Sequence, residues 1–107
     1  MRGFEERQKA FEAEFHRDQE LAFRTTARRN RLFGLWAAER LGVPGGDAAE
    51  DYAKAVVAAD FAAPGDADVI DKVRADFAAG HIDIKEAELW AALARAATEA
   101  RKQLAQS

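Results

Sequence analysis

The chain has 107 residues, of which 33% are charged and 49% hydrophobic, and its formal net charge is −3. These values predict one globular domain and exclude a disordered chain. There is no cysteine, and the only serine is Ser107, so thiol and serine catalysis are excluded. We expect no enzyme activity, metal site or cofactor. Without a long apolar run or an apolar leader, we expect a cytoplasmic protein that does not insert into the membrane.

The N-terminal segment FEERQKAFEAEF, residues 4–15, places three phenylalanines among mostly charged residues. On a helix, four residues spaced by 7, 4 and 7 fall within roughly 40° of one another. These residues, here called the Phe stripe, are Phe4, Phe11, Phe15 and Ala22. A second apolar face is rotated from the first by roughly 80°. It contains Leu21, Thr25, Leu32 and Trp36.

Two interpretations of the Phe stripe stay open at this point. It extends the core of a bundle, with a kink where the faces change, or it anchors a separate segment in a groove of another protein. Three short helices cannot cover a first helix of about 40 residues along its whole length. The rotation near residues 16–22 divides the chain into an arm, residues 1–18, and a helical bundle domain, residues 19–107.

Four arginines follow the arm at spacings of 7, 4 and 3, which places them on one ridge of a helix. They are Arg17, Arg24, Arg28 and Arg31. The ridge either binds an anion, such as a nucleotide, or pairs with acidic residues of the same chain. Residues 47–86 hold ten acidic and four basic residues, which favours internal pairing and argues against a nucleic-acid partner. A third hypothesis is that the chain binds RNA, in which case its affinity would fall steeply as the salt concentration rises.

Glycine- and proline-containing turns divide the rest of the chain. GVPGGD (42–47) and APGDAD (63–68) each end one helix and start another, with Asp47 and Asp66 as expected N-caps, and Gly80 ends a third helix. The expected helices are about 19–41, 48–61, 67–79 and 84–105, and no strand is predicted. The fold class is therefore all-α: a four-helix bundle with a long first helix whose N-terminal part is a protruding or flexible arm. The expected core includes Phe33, Val56, Val73, Phe77, Trp90 and Leu93.

Three segments carry a resemblance to a known family. They are ARRNRLFGLWAAERLG (27–42), YAKAVVAADFAAPGDADVIDKVRADF (52–77) and the opening FEERQKAFEAEF (4–15). Together they resemble the zeta subunit of alphaproteobacterial F-type ATP synthases. The resemblance covers about residues 4–80, and the RRN-x-LxGLWAAE pattern is its most distinctive part.

The resemblance implies a regulatory subunit that blocks ATP hydrolysis by inserting its N-terminal helix into the catalytic head. The implied partners are the alpha, beta and gamma subunits at their interface, with the chain monomeric when free and peripheral to the inner membrane through the synthase. The arm residues that match the family are Phe4, Arg7, Ala10, Phe11, Glu12 and Phe15, and we expect Glu5 and Glu14 to make further polar contacts with the partner. The alternative hypothesis is a small bundle that binds a nucleotide or other phosphate ligand, weakly, through Arg24, Arg28 and Arg31.

Overall fold

The computed structural model describes the backbone of residues 2–60 and 66–106, and the side chains of residues 18–60 and 66–106. It contains four α-helices in the order expected from the sequence. They are α1 (Arg2–Leu41), α2 (Asp47–Ala59), α3 (Ala67–Ala79) and α4 (Glu86–Gln106). The all-α, four-helix fold with a long first helix is therefore confirmed.

The turn after α1 closes as the glycine pattern predicts. Gly42 adopts a φ of +77°, a left-handed value that residues with a Cβ rarely take. Its N–H donates to the carbonyl of Glu39 at 3.1 Å, and the N–H of Val43 donates to that of Ala38 at 2.9 Å. This pair of bonds is a Schellman motif, which satisfies carbonyls at the end of the helix.

The predicted N-caps are correct for one helix and wrong for another. Asp66 occupies the N-cap of α3, although its carboxylate makes no capping hydrogen bond. The N-cap of α2 is Gly46, with a φ of +85°, and Asp47 is the first helical residue. A carboxylate in the first turn still interacts favourably with the positive end of the helix dipole.

The core lies between α1 and the other three helices. Its largest side chains are fully buried: Phe33, Phe77, Ile70, Leu89, Val56, Val69 and Val73. Trp36 stacks on Phe33 with ring centroids 5.6 Å apart and lies 5.9 Å from the ring of Phe77. These contacts join α1 to α3.

The prediction of which face of α4 packs on the core was partly wrong. Leu93 is buried as predicted, but Trp90 is 41% exposed, and the helix turns a different stripe inward. That stripe consists of Leu89, Ala92, Leu93, Ala96 and Ala100. Three alanines let the α4 backbone approach the core closely, whereas a tryptophan would hold it away.

The length of α1 exceeds what α4 covers. The last turns of α4 lie beside residues 18–26 of α1, and Arg28 Nη1 donates to Gln103 Oε1 at 3.0 Å. The two helices are antiparallel, so residues 2–17 of α1 extend beyond the C-terminal end of α4. At 1.5 Å per residue they amount to about 24 Å of helix. Whether residues 1–18 act as a separate arm stays a prediction.

Candidate interaction site

The predicted partner-binding residues all lie in the first half of α1. They are Phe4, Glu5, Arg7, Ala10, Phe11, Glu12, Glu14 and Phe15, and their side chains lie outside the described residues. Their roles therefore stay predictions. The structure does describe the junction at which this segment joins the bundle, from Asp18 onward.

Three of the four ridge arginines are engaged within the chain, and the side chain of the fourth, Arg17, lies outside the described residues. Arg31 makes two bonds to the carboxylate of Glu50 on α2, Nη2 to Oε1 at 2.5 Å and Nε to Oε2 at 3.2 Å. Arg24 pairs with Glu20 one turn earlier at 2.6 Å. Arg28 bonds Gln103 of α4. Internal pairing with the acidic second helix, one of the two interpretations of the ridge, is therefore observed for Arg31.

The same three arginines line an open groove of about 570 Å³, together with Phe23, Val57 and Leu104. This volume lies within the range of ligand sites, roughly 300–1,000 Å³. A phosphate entering the groove would compete with Glu20 and Glu50 for two of the guanidinium groups. The predicted anion site thus has its residues together, but each already has a partner.

Arg29, which lies off the ridge, is the more buried arginine. Its side chain is only 13% exposed, and its Nη2 lies 3.0 Å from Asp66 Oδ1 at the start of α3. Its Nε donates to Oδ1 of Asn30 at 3.0 Å, and Asn30 is itself buried. This cluster fastens the N-terminus of α3 to α1, a structural role that the sequence analysis did not assign.

A second polar cluster joins α2 to α3. The hydroxyl of Tyr52 donates to Asp76 Oδ2 at 2.8 Å, and Lys72 Nζ lies 2.8 Å from the same oxygen. Burial raises the pKa of Tyr52, and the hydrogen bond and charge of Asp76 raise it further. The phenol therefore keeps its proton throughout the physiological range and acts as a hydrogen-bond donor.

An apolar groove lies where residues 18–26 of α1 meet the last turns of α4. Its volume is about 610 Å³, and it is lined by Asp18, Leu21, Ala22, Thr25, Thr26, Arg101, Leu104 and Ala105. Leu21 is 52% exposed. The sequence analysis did not predict this groove, because helical periodicity shows which residues share a face but not whether a neighbouring helix covers that face.

The described residues contain neither a metal-binding cluster nor a membrane-spanning helix. Among them, no three histidine, aspartate or glutamate side chains lie close enough together to hold a metal ion. None of the described helices combines the length and apolar character needed to cross a bilayer. The described residues instead form three surface features, which are an arginine-lined groove, an apolar groove and the end of a long helix.

Comparison with known proteins gives one family. The family model described as ATPase inhibitor subunit zeta matches residues 1–103. The matched range includes all of α1 and ends within α4. A search of the curated proteins found no match.

Proposed function

The chain belongs to the family of ATPase inhibitor zeta subunits, and on this premise we propose that residues 1–18 insert into the catalytic head of the ATP synthase. Family membership gives the chain a regulatory, non-catalytic role toward the synthase. The proposed location of the inserted arm is the interface between the alpha and beta subunits, close to gamma. Residues 19–107 form the domain that carries the arm.

The observation that supports the arm most directly is the Phe stripe on a helix that continues into the bundle. Phe4, Phe11 and Phe15 share one helical face, and α1 runs without interruption from Arg2 to Leu41. Starting a helix is costly, whereas extending one costs little. Because the bundle stabilises the C-terminal half of α1, the arm only has to extend an existing helix when it binds its partner.

The energetics of insertion depend on the three aromatic rings. Burying one phenylalanine contributes up to roughly 3 kcal/mol, and fixing the arm against the partner offsets part of that gain. Ala10 permits close approach beside the rings, and four charged residues make the polar contacts. Those residues are Glu5, Arg7, Glu12 and Glu14. A rigid helix held in this way blocks the subunit motion that hydrolysis requires.

The test is a titration of inhibition with two variants that each remove an aromatic ring. Phe11→Ala should weaken inhibition of ATP hydrolysis by the synthase head by roughly tenfold or more, because each 1.4 kcal/mol is a factor of ten. Trp90→Ala, the matched control, removes a 41% exposed ring from α4 and should inhibit normally. Equal potency of the two variants would contradict insertion through the Phe stripe.

The groove lined by Arg24, Arg28 and Arg31 supports a second candidate, a weak nucleotide or phosphate site. Chemical-shift changes on these residues during titration with millimolar ATP would favour it. Removing the competing carboxylate by Glu50→Gln should then strengthen binding, because Arg31 is released from its internal pair. No shifts in either protein would remove this candidate.

A further inference from the structure

We propose that the apolar groove between residues 18–26 of α1 and the last turns of α4 is a second contact with the catalytic head. This inference rests on the proposed function and extends it from the arm to the bundle. The occupant is the surface of the head next to the point where the arm enters. Its lining includes Asp18, Leu21, Ala22, Arg101, Leu104 and Ala105.

The groove does not belong to the core of the bundle. The core cluster and the half-buried residues packed on it extend along α1 from Leu32 to Leu41, and none of the groove residues is among them. Leu21 nevertheless exposes 52% of its surface beside this groove. An apolar groove that the core leaves open is a surface that a partner protein can bury.

The identity of the occupant follows from the continuity of α1. Ala22 is the last member of the Phe stripe and also lines the groove, so the groove begins where the stripe ends, with Leu21 and Thr25 on the face rotated by roughly 80°. Leu21 follows Phe15 by six residues, which is about 9 Å along a helix. A partner that encloses the arm as far as Phe15 therefore brings its own surface to the groove.

Two charged residues, Asp18 and Arg101, line the groove and indicate the chemistry of that surface. Arg101 donates only a long hydrogen bond, 3.4 Å, to Thr98 Oγ1. In the part of the chain that the structure describes, it has no carboxylate partner within 4.0 Å. The surface that fits is an apolar protrusion with an acidic group placed to meet Arg101 and kept away from the carboxylate of Asp18.

Crosslinking tests this contact directly. The chain has no cysteine, so Ala105→Cys supplies a unique thiol for a short photoreactive crosslinker. The matched control is Ala79→Cys in the last turn of α3, at the opposite end of the bundle, where Gly80 lies near Leu41. In the inhibited complex of the full chain with the head, residue 105 should crosslink at least tenfold more than residue 79. Equal yields, or none from residue 105, would overturn the proposal.

A substitution separates this inference from the proposed function. Leu21→Asp places a charge in the groove and should weaken inhibition roughly tenfold. The thermal midpoint should change little because Leu21 is half exposed. Ala91→Asp, at an exposed position of α4 outside the groove, should inhibit normally. If Leu21→Asp inhibits normally while Phe11→Ala does not, the second contact is wrong and the arm proposal stands. If both inhibit normally, both proposals fail.

Discussion

Gly34 of α1 and Ala53 of α2 pack so closely that a Cβ added to Gly34 would lie 2.8 Å from the Cα of Ala53. Both residues are buried, and Ala53 contributes only a methyl group to the contact. Glycine at this position therefore sets the distance between two helix backbones. It is also part of the GLWAAE run by which the sequence resembles the family.

Gly34→Ala should therefore destabilise the bundle even though alanine is the better helix former. The added methyl group needs a backbone shift, and overpacking of this kind costs about 1–3 kcal/mol. Denaturant unfolding followed by circular dichroism measures the loss. Gly45→Ala is the matched control, since a Cβ at Gly45 meets nothing within 4 Å. A loss no larger than that of the control would show that α1 and α2 can separate at little cost.

A second prediction contrasts two phenylalanines of α1. Phe33 is fully buried, and truncating a ring in such a site costs about 3–5 kcal/mol. Phe33→Ala should therefore lower the free energy of unfolding, whereas Phe11→Ala should leave it nearly unchanged. The measurement is the denaturation midpoint of both variants. Equal destabilisation would place the Phe stripe in the fold and remove the separate arm.

A third prediction concerns Arg29. Arg29→Met removes the ion pair with Asp66 and leaves the Oδ1 of buried Asn30 without its donor, which should cost about 1–3 kcal/mol. Arg24→Met is the control, because its pair with Glu20 is exposed and worth about 0–1 kcal/mol. The free energies of unfolding of the two variants, measured by denaturation, should differ clearly. Similar losses would mean that the cluster around Arg29 contributes no more than a surface pair.

The fourth prediction is a pH dependence that belongs to Tyr52. The folded state raises the pKa of its phenol above the ordinary 10.0, so the associated stability is complete below about pH 10 and is lost as the pH rises above it. Tyr52→Phe should cost about 0.5–1.5 kcal/mol near neutral pH, with Asp76 still paired to Lys72.

Alkaline denaturation of Tyr52→Phe and of the wild type checks this dependence. The difference between them should stay constant up to about pH 10 and shrink above it, because the variant has no phenol to titrate. Tyr52 is the only tyrosine of the chain, so any signal from the ionisation of a tyrosine comes from this residue. A difference that stays constant with pH would contradict the role of the Asp76 hydrogen bond.

The helices were largely predictable because their ends depend on local chemistry. Gly42 closes α1 as expected, and the predicted bounds of α3 are those observed. At the end of α3, however, the left-handed residue is His81, with a φ of +57°, and Gly80 keeps a φ of −86°. The glycine showed where the helix ends but not which residue bends the chain.

The face of α4 was harder to predict because alanines lie around the helix. Apolar periodicity in such a sequence fits more than one stripe, and the largest residue, Trp90, suggested the wrong one. The apolar groove near Leu21 was missed for a related reason. Periodicity shows that residues share a face, but only the positions of the neighbouring helices show whether that face is covered. The partner-binding residues of the arm depend on a second protein, so they stay predictions.

The most direct test of the central claim is ATP hydrolysis by the synthase head that lacks this subunit. The full chain and a version lacking residues 1–18 would each be added over the same range of concentrations. The arm mechanism predicts inhibition by the full chain alone, with the truncated protein still folded by circular dichroism. Equal inhibition by both proteins would contradict it and assign the inhibitory action to the bundle.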